Sequence, residues 1–214
     1  MTKLTGEQIA AEGLTGWVRL ANGLRTRIHS GDFAAGLALV NAIGRAAEEM
    51  NHHPDLDLRY SYLDVRLSSH DVNGVTERDV RLARTISGLV ADAGLAQTVQ
   101  GVSELELALD TPALATVLPF WSAVLAMTAD TRDDLRDPAG ILPLIWFQQS
   151  GSEEPRQRWH PDVWVDPAEV QPRIDAAVAA GGTLVSDAEA PSFWVLADPE
   201  GNKVCLCTWQ QRGA

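Results

Sequence analysis

Residues 17–20 and 24–28 are two short apolar-rich runs around Ala21-Asn22-Gly23, and an Asn-Gly turn between extended segments predicts a β-hairpin. Asp32 then leads a stretch in which Phe33, Leu37, Val40, Gly44 and Ala47 recur at helical spacing, so a helix burying those residues is expected. Between residues 57 and 70 the period changes to two. Leu58, Tyr60 and Tyr62 alternate with polar residues, and Leu63, Val65 and Leu67 do the same in shifted phase, as two antiparallel strands joined by a tight turn would. Asp71-Val72-Asn73-Gly74 reads as a turn. Thr76 starts a second helix whose buried stripe is Leu82, Ile86, Leu89 and Ala93. Two strands, helix, two strands, helix folds as one antiparallel sheet with both helices on one face.

The second half has a different rhythm. Residues 102–109 alternate as a strand, Thr111-Pro112 opens a helix to about residue 126, and residues 142–147 form another strand. The pattern then recurs: a strand over 159–165, a helix opened by Asp166-Pro167 and ended by Gly181-Gly182, and strands near Thr183, over 193–197 and over 204–208. Asp110-Thr111-Pro112 set against Val165-Asp166-Pro167 marks a repeat of about 56 residues. The fold class expected is α+β, with an N-terminal antiparallel sheet carrying two helices and a C-terminal tandem βαβββ domain.

Composition sharpens the division. At 214 residues with 45% apolar content, the chain has room for one large domain or two of ordinary size. Residues 1–99 hold 10 Lys/Arg against 12 Asp/Glu, while residues 100–214 hold 7 against 17, and six of the seven tryptophans lie in the second part. This shift argues for two domains, 1–98 and 99–214. An acidic second half without a basic stripe argues against a nucleic-acid partner. No apolar run approaches a membrane span, and the N-terminal residues lack the apolar block of a signal peptide, so a cytoplasmic protein is expected. Cys205 and Cys207 stand two apart on a strand, a spacing poor for a disulfide between them, which fits buried thiols in a reducing compartment.

Candidate chemistry concentrates in Glu48-Glu49-Met50-Asn51-His52-His53-Pro54, with His70 and Asp79 downstream. Three imidazoles and one acid around a pocket suit proton transfer to and from a small molecule. Each residue also has a plain structural use. Adjacent histidines cap a helix C-terminus, Pro54 is an ordinary helix stop, and Thr76-x-x-Asp79 is a capping box with its acid in the first turn.

The string EEMNHHP, then Tyr60, then SSHD around His70 and GVTERDVRLA around Asp79, resembles the pterin-4a-carbinolamine dehydratases over residues 3 to 95. That resemblance implies a lyase that dehydrates 4a-hydroxytetrahydropterin to quinonoid dihydropterin, with His52, His53, His70 and Asp79 catalytic, and Glu48 and Tyr60 at the substrate. It implies no cofactor, a pterin as partner and self-association into a homo-oligomer. One departure is Leu56, two places after Pro54, where many members carry an aromatic residue. The repeat together with Asp198-Pro199-Glu200-Gly201-Asn202 and the strand bearing His160 is similar to glyoxalase-like domains of the vicinal oxygen chelate superfamily, over about residues 102 to 210. Metal-dependent members use ligands on strands of both repeats. Here His160 matches one position, Cys205 stands where Glu is usual, and the first strand offers Glu104 or Glu106. One well-placed imidazole is a poor zinc site, so no metal is expected, and the domain reads as a ligand-binding cup. The alternatives are a non-catalytic binding or assembly protein, and metal-dependent glyoxalase- or dioxygenase-type chemistry in the second domain.

Overall fold

The structure is a computed structural model that describes residues 2–150, 158–197, 201 and 203–212. The chain divides into two compact units, Met1–Val102 with Trp209–Ala214, and Ser103–Thr208. Asp198, Pro199, Glu200 and Asn202 of the glyoxalase-like string lie outside the described residues. Among the described residues no helix is long and apolar enough to cross a membrane.

The first unit runs α1 (Gly6–Ala11), β1 (Val18–Leu20), β2 (Gly23–His29), α2 (Phe33–Met50), β3 (Asp55–Leu58), β4 (Tyr62–Leu67), α3 (Glu77–Asp92) and β5 (Ala96–Thr98). Its sheet is antiparallel throughout in the order β1-β2-β4-β3. The short β5 pairs with residues 27–29 of β2, beyond the stretch that β1 occupies. Alternation along the strands sends Leu24, Ile28, Leu63, Val65 and Leu67 inward, against Leu39 and Ile43 of α2 and Leu82, Ile86 and Val90 of α3. The opposite face is solvated, and there Arg27 pairs with Asp64 through bonds of 2.7 and 2.6 Å while lying over the Tyr62 ring.

Three local expectations shift. The hairpin turn is centred on Ala21 and Asn22, with Ala21 at φ 45° and Gly23 already in β2, where a Cβ would press on the Leu67 carbonyl and Arg66. The buried stripe of α2 is Gly36, Leu39, Ile43 and Ala47, whereas Phe33 and Leu37 are 48% and 45% exposed. A helix this rich in Ala and Gly offers two adjacent stripes. Gly36 favours the inward stripe, because a Cβ there would lie 2.6 Å from Leu58 Cδ1 and the leucine end would have to shift from its place on β3. In α3, Val90 takes the inward position, and Ala93 is the exposed C-cap. The sequence pattern also passes over α1 and β5. α1 opens on a capping box between Thr5 and Gln8 that the chemistry of those residues encodes.

The second unit runs β6 (Ser103–Thr111), α4 (Leu114–Leu125), β7 (Thr128–Ala129), β8 (Leu135–Arg136), β9 (Leu144–Gln149), β10 (Trp159–Val165), α5 (Pro167–Ala179), β11 (Thr183–Ser186), β12 (Phe193–Ala197) and β13 (Lys203–Cys207). This is βαβββ twice. The strand order β11-β12-β13-β10-β6-β9-β8-β7 shows the duplication, since β6 and β10 pair antiparallel at the centre and each pairs parallel with the last strand of its own repeat. Asp166 caps α5 by accepting from Ala168 N, with Pro167 at the first helical position. α5 packs Val170 and Ile174 on Val165, Leu196 and Leu206, and Leu118 and Trp121 of α4 pack against the cluster of Leu135 and Ile145. Alternation leaves Glu104, Glu106, Asp110, His160, Asp162, Trp164 and Cys205 on the other face.

Trp209 returns to the first unit, where a Cβ on Gly6 would collide with its indole. Gly6→Ala should therefore destabilise by about 1–3 kcal/mol from overpacking. In a Trp209→Ala background the same change should be neutral or stabilising, because helix propensity favours Ala by about 1 kcal/mol. A double-mutant cycle by urea unfolding measures the coupling, and additive effects would contradict the packing.

Candidate active site

α2 ends where Asn51 adopts the left-handed conformation at φ 47°, ψ 44°, allowing His52 N to donate to the Ala47 carbonyl at 3.1 Å. Beyond that cap the two histidines have opposite environments. His52 is buried, and His53 is exposed and 3.1 Å from Glu48 Oε1.

His52 Nε2 lies 2.7 Å from Asp79 Oδ1, and Asp79 is fully buried. The other oxygen, Oδ2, accepts from Thr76 N at 2.7 Å, Ser69 Oγ at 2.7 Å and Thr76 Oγ1 at 3.2 Å. The capping box and the imidazole contact thus coexist on one carboxylate, one oxygen serving the helix N-terminus and the other serving His52. A buried charge is tolerated only when donors surround it, and this one has them on both oxygens. Because an ionised carboxylate only accepts, His52 Nε2 carries the proton in this contact and Nδ1 is the other available ring nitrogen.

His70 stands exposed in the turn after β4, immediately beyond Ser69. That turn is closed by reciprocal backbone bonds between Ser69 and Gly74 at 2.8 and 3.3 Å, with Asn73 at φ 47°. Arg78 in the first turn of α3 is ion-paired with Asp71, which holds the Asp71 carboxyl below its ordinary range. The buried network therefore spans the end of α2, the turn after β4 and the start of α3. The residue following His52 and the residue following Ser69 are both surface histidines.

Of the six expected residues, His52 and Asp79 meet directly, His53 and Glu48 pair at the surface beside them, and His70 borders the network through Ser69. Tyr60 lies 76% exposed in the β3–β4 turn. The phase shift expected between Tyr62 and Leu63 falls earlier, because β3 ends at Leu58 and β4 begins at Tyr62. Ser69 and Thr76 are the network members that the reading of chemistry-bearing side chains passed over. The serine pair before His70 and the cap position of Thr76 were their only signals. Leu56 packs against the hydrophobic core.

On the polar face of the second unit, Asp162 stands opposite Glu106 on one neighbouring strand and Cys205 on the other. Trp164 Nε1 donates to Glu106 Oε2 at 2.8 Å and Trp146 Nε1 to Asp162 Oδ2 at 3.2 Å. His160 lies with Nε2 3.6 Å from Asp162 and Nδ1 3.8 Å from Asp110. His160, Asp162 and Cys205 each offer a ligand atom, all within 4.8 Å of one another. His160 is the one imidazole in this half of the sequence. The register adds Asp162 and brings Cys205 alongside, giving the nitrogen, oxygen and sulfur donors of a three-ligand zinc site. Burial pushes the Glu106 carboxyl up to about 7, opposed by the Trp164 bond and reinforced by Glu104, Asp162 and Asp134.

The family model for pterin 4 alpha carbinolamine dehydratase matches residues 2–89, and the model for a glyoxalase-like domain matches residues 106–207. A Mycobacterium tuberculosis protein provisionally named pterin-4-alpha-carbinolamine dehydratase is 40% identical over 91 residues, which cover 42% of this chain and 97% of the relative. Among solved structures, a transcriptional coactivator/pterin dehydratase from Brucella Melitensis aligns with TM-score 0.40 and 27% identity, over 41% of this chain and 98% of its own. A glyoxalase/bleomycin resistance protein/dioxygenase superfamily member from Vibrio splendidus 12B01 aligns with TM-score 0.36 and 12% identity, over 50% and 99%.

Because the folded-state value of Glu106 lies above its unfolded one near 4.5, its contribution to stability is complete below pH 4.5 and is lost as pH rises through about 7. Thermal unfolding followed from pH 4.5 to 7.5 should show the second unit losing stability across that window. Glu106→Gln should flatten the dependence, and an unchanged slope would assign it to other groups.

Proposed function

The chain belongs to the pterin 4 alpha carbinolamine dehydratase family through its N-terminal unit, joined to a glyoxalase-like C-terminal unit, and from that membership we propose that it dehydrates a 4a-hydroxytetrahydropterin by histidine general acid–base catalysis. The reaction breaks the C4a–OH bond and removes a proton from the neighbouring ring nitrogen, releasing water. It is redox-neutral and asks for one proton donor at the leaving oxygen and one acceptor at the nitrogen. His53 and His70, the two accessible imidazoles beside the buried network, take these roles. His52 stays beneath them in the orientation its Asp79 contact selects. Glu48, 3.1 Å from His53, orients that ring at the surface. The observation that carries this reading is the buried His52–Asp79 contact, which joins the two chain segments that bear the exposed histidines.

A stopped-flow ultraviolet assay of the carbinolamine with and without protein tests the proposal. Micromolar protein should accelerate dehydration, and His53→Ala and His70→Ala should each slow it by roughly 10² to 10⁴-fold with native circular dichroism, the range typical of a general acid–base group. A wild-type rate no faster than the spontaneous one would leave the protein a binding or assembly module.

A second reading concerns the C-terminal unit and rests on the convergence of His160, Asp162 and Cys205. These three would hold a divalent transition ion, which as a Lewis acid would polarise a bound oxygen ligand. Protein purified without chelator or nickel resin should then carry near-stoichiometric zinc, manganese or iron by elemental analysis, with the ion lost in His160→Ala. Metal-free protein that gains none on dialysis against zinc would exclude this reading.

A further inference from the structure

We infer that Ser69 is a positioning residue for the first unit's site, acting through Asp79 on the imidazole of His52. The inference rests on the dehydratase reading only for its kinetic consequences. Ser69 is 1% exposed and its hydroxyl has two partners, Asp79 Oδ2 at 2.7 Å and Thr76 Oγ1 at 2.8 Å. A hydroxyl has one proton. With the carboxylate able only to accept, that proton goes to Asp79, and the single Thr76 hydroxyl proton is shared between Ser69 Oγ at 2.8 Å and Asp79 Oδ2 at 3.2 Å. Both hydroxyls are therefore directed toward Asp79, Ser69 with the shorter bond.

The direction matters for the carboxylate's rotation. Without Ser69, Oδ2 would still accept from Thr76 N and Thr76 Oγ1, but both of those donors belong to one residue, and the carboxylate's torsion about its Cβ–Cγ axis has a broad energy well. The serine donor comes from a different stretch of chain, two residues past β4, and so pins the carboxylate plane from a second side. Oδ1 is then held where it meets His52 Nε2, keeping the proton on that nitrogen. Ser69 also anchors the strand end that precedes His70, through its backbone bonds with Gly74. One side chain thus sets the tautomer of His52 and ties the α3 start to the turn carrying His70.

The experiment compares Ser69→Ala with Ser69→Thr, which keeps the donor. Two readouts are used, the ring ¹⁵N shifts of His52 (assigned by their loss in His52→Gln) and the pH profile of dehydration. In Ser69→Ala the His52 nitrogens should move from an Nε2–H tautomer toward an averaged mixture. In the same variant kcat should fall roughly tenfold, the scale of one lost hydrogen bond to a charged group, with KM nearly unchanged and one limb of the profile displaced. Ser69→Thr should restore both. Wild-type His52 shifts in a folded Ser69→Ala protein overturn the inference. If Ser69→Ala does not fold, Ser69→Cys, with its weak donor, should show the same shift change in smaller degree, and unaltered shifts there overturn the inference equally. The nitrogen shifts are read on protein without substrate, so they decide the inference even if the wild-type protein proves not to dehydrate pterins.

Discussion

A fully buried carboxylate is expensive unless its whole acceptor capacity is used, and Asp79 meets that condition by drawing on three separate stretches of chain. Thr76 belongs to its own helix start, Ser69 to the turn after β4, and His52 to the exit from α2. None of these segments is held to the others here by apolar contact alone. The carboxylate fixes their mutual placement at the rim, while the core beneath of Leu39, Ile43, Leu82 and Ile86 holds the helices to the sheet. Two structural duties converge on one residue. The requirement to cap α3 and the requirement to orient an imidazole are both met because a carboxylate has two oxygens.

The same separation of duties appears in the backbone. At Asn51 the left-handed conformation ends α2 and reverses the chain, and from that reversal the consecutive histidines acquire opposite environments. His52 enters the network and His53 stays with solvent. The second unit uses alternation in the corresponding way. Along β10, Val163 and Val165 face α5, while His160, Asp162 and Trp164 form the polar face with Glu106 and Cys205. Its excess of acidic residues is partly explained by this face, where two tryptophan N–H groups each hold one carboxylate oxygen.

Much of this could be read before any coordinates. Period-two alternation located β4, β6 and β10, and Asp32, Thr76 and Asp166 marked the N-caps of α2, α3 and α5, because these signals depend on residues within a few positions of one another. The duplication in the second half was likewise visible from Asp110-Thr111-Pro112 and Val165-Asp166-Pro167. The very short strands β5, β7 and β8 were not, because two or three residues carry no period.

Neighbouring residues thus carried the order and type of the longer elements, the two-part organisation, and the presence of His52, His53, His70 and Asp79 near helix and strand ends. Tertiary structure decided which face of α2 is buried, through the approach of Leu58 to Gly36, and which histidine meets the acid. It also set Asp162 between Glu106 and Cys205. The physical reason is the range of the interactions involved. Caps, turns and periodicity are local and written in neighbouring residues, whereas strand register and helix rotation are chosen by contacts between residues far apart in the chain, where a shift of one position exchanges buried for exposed.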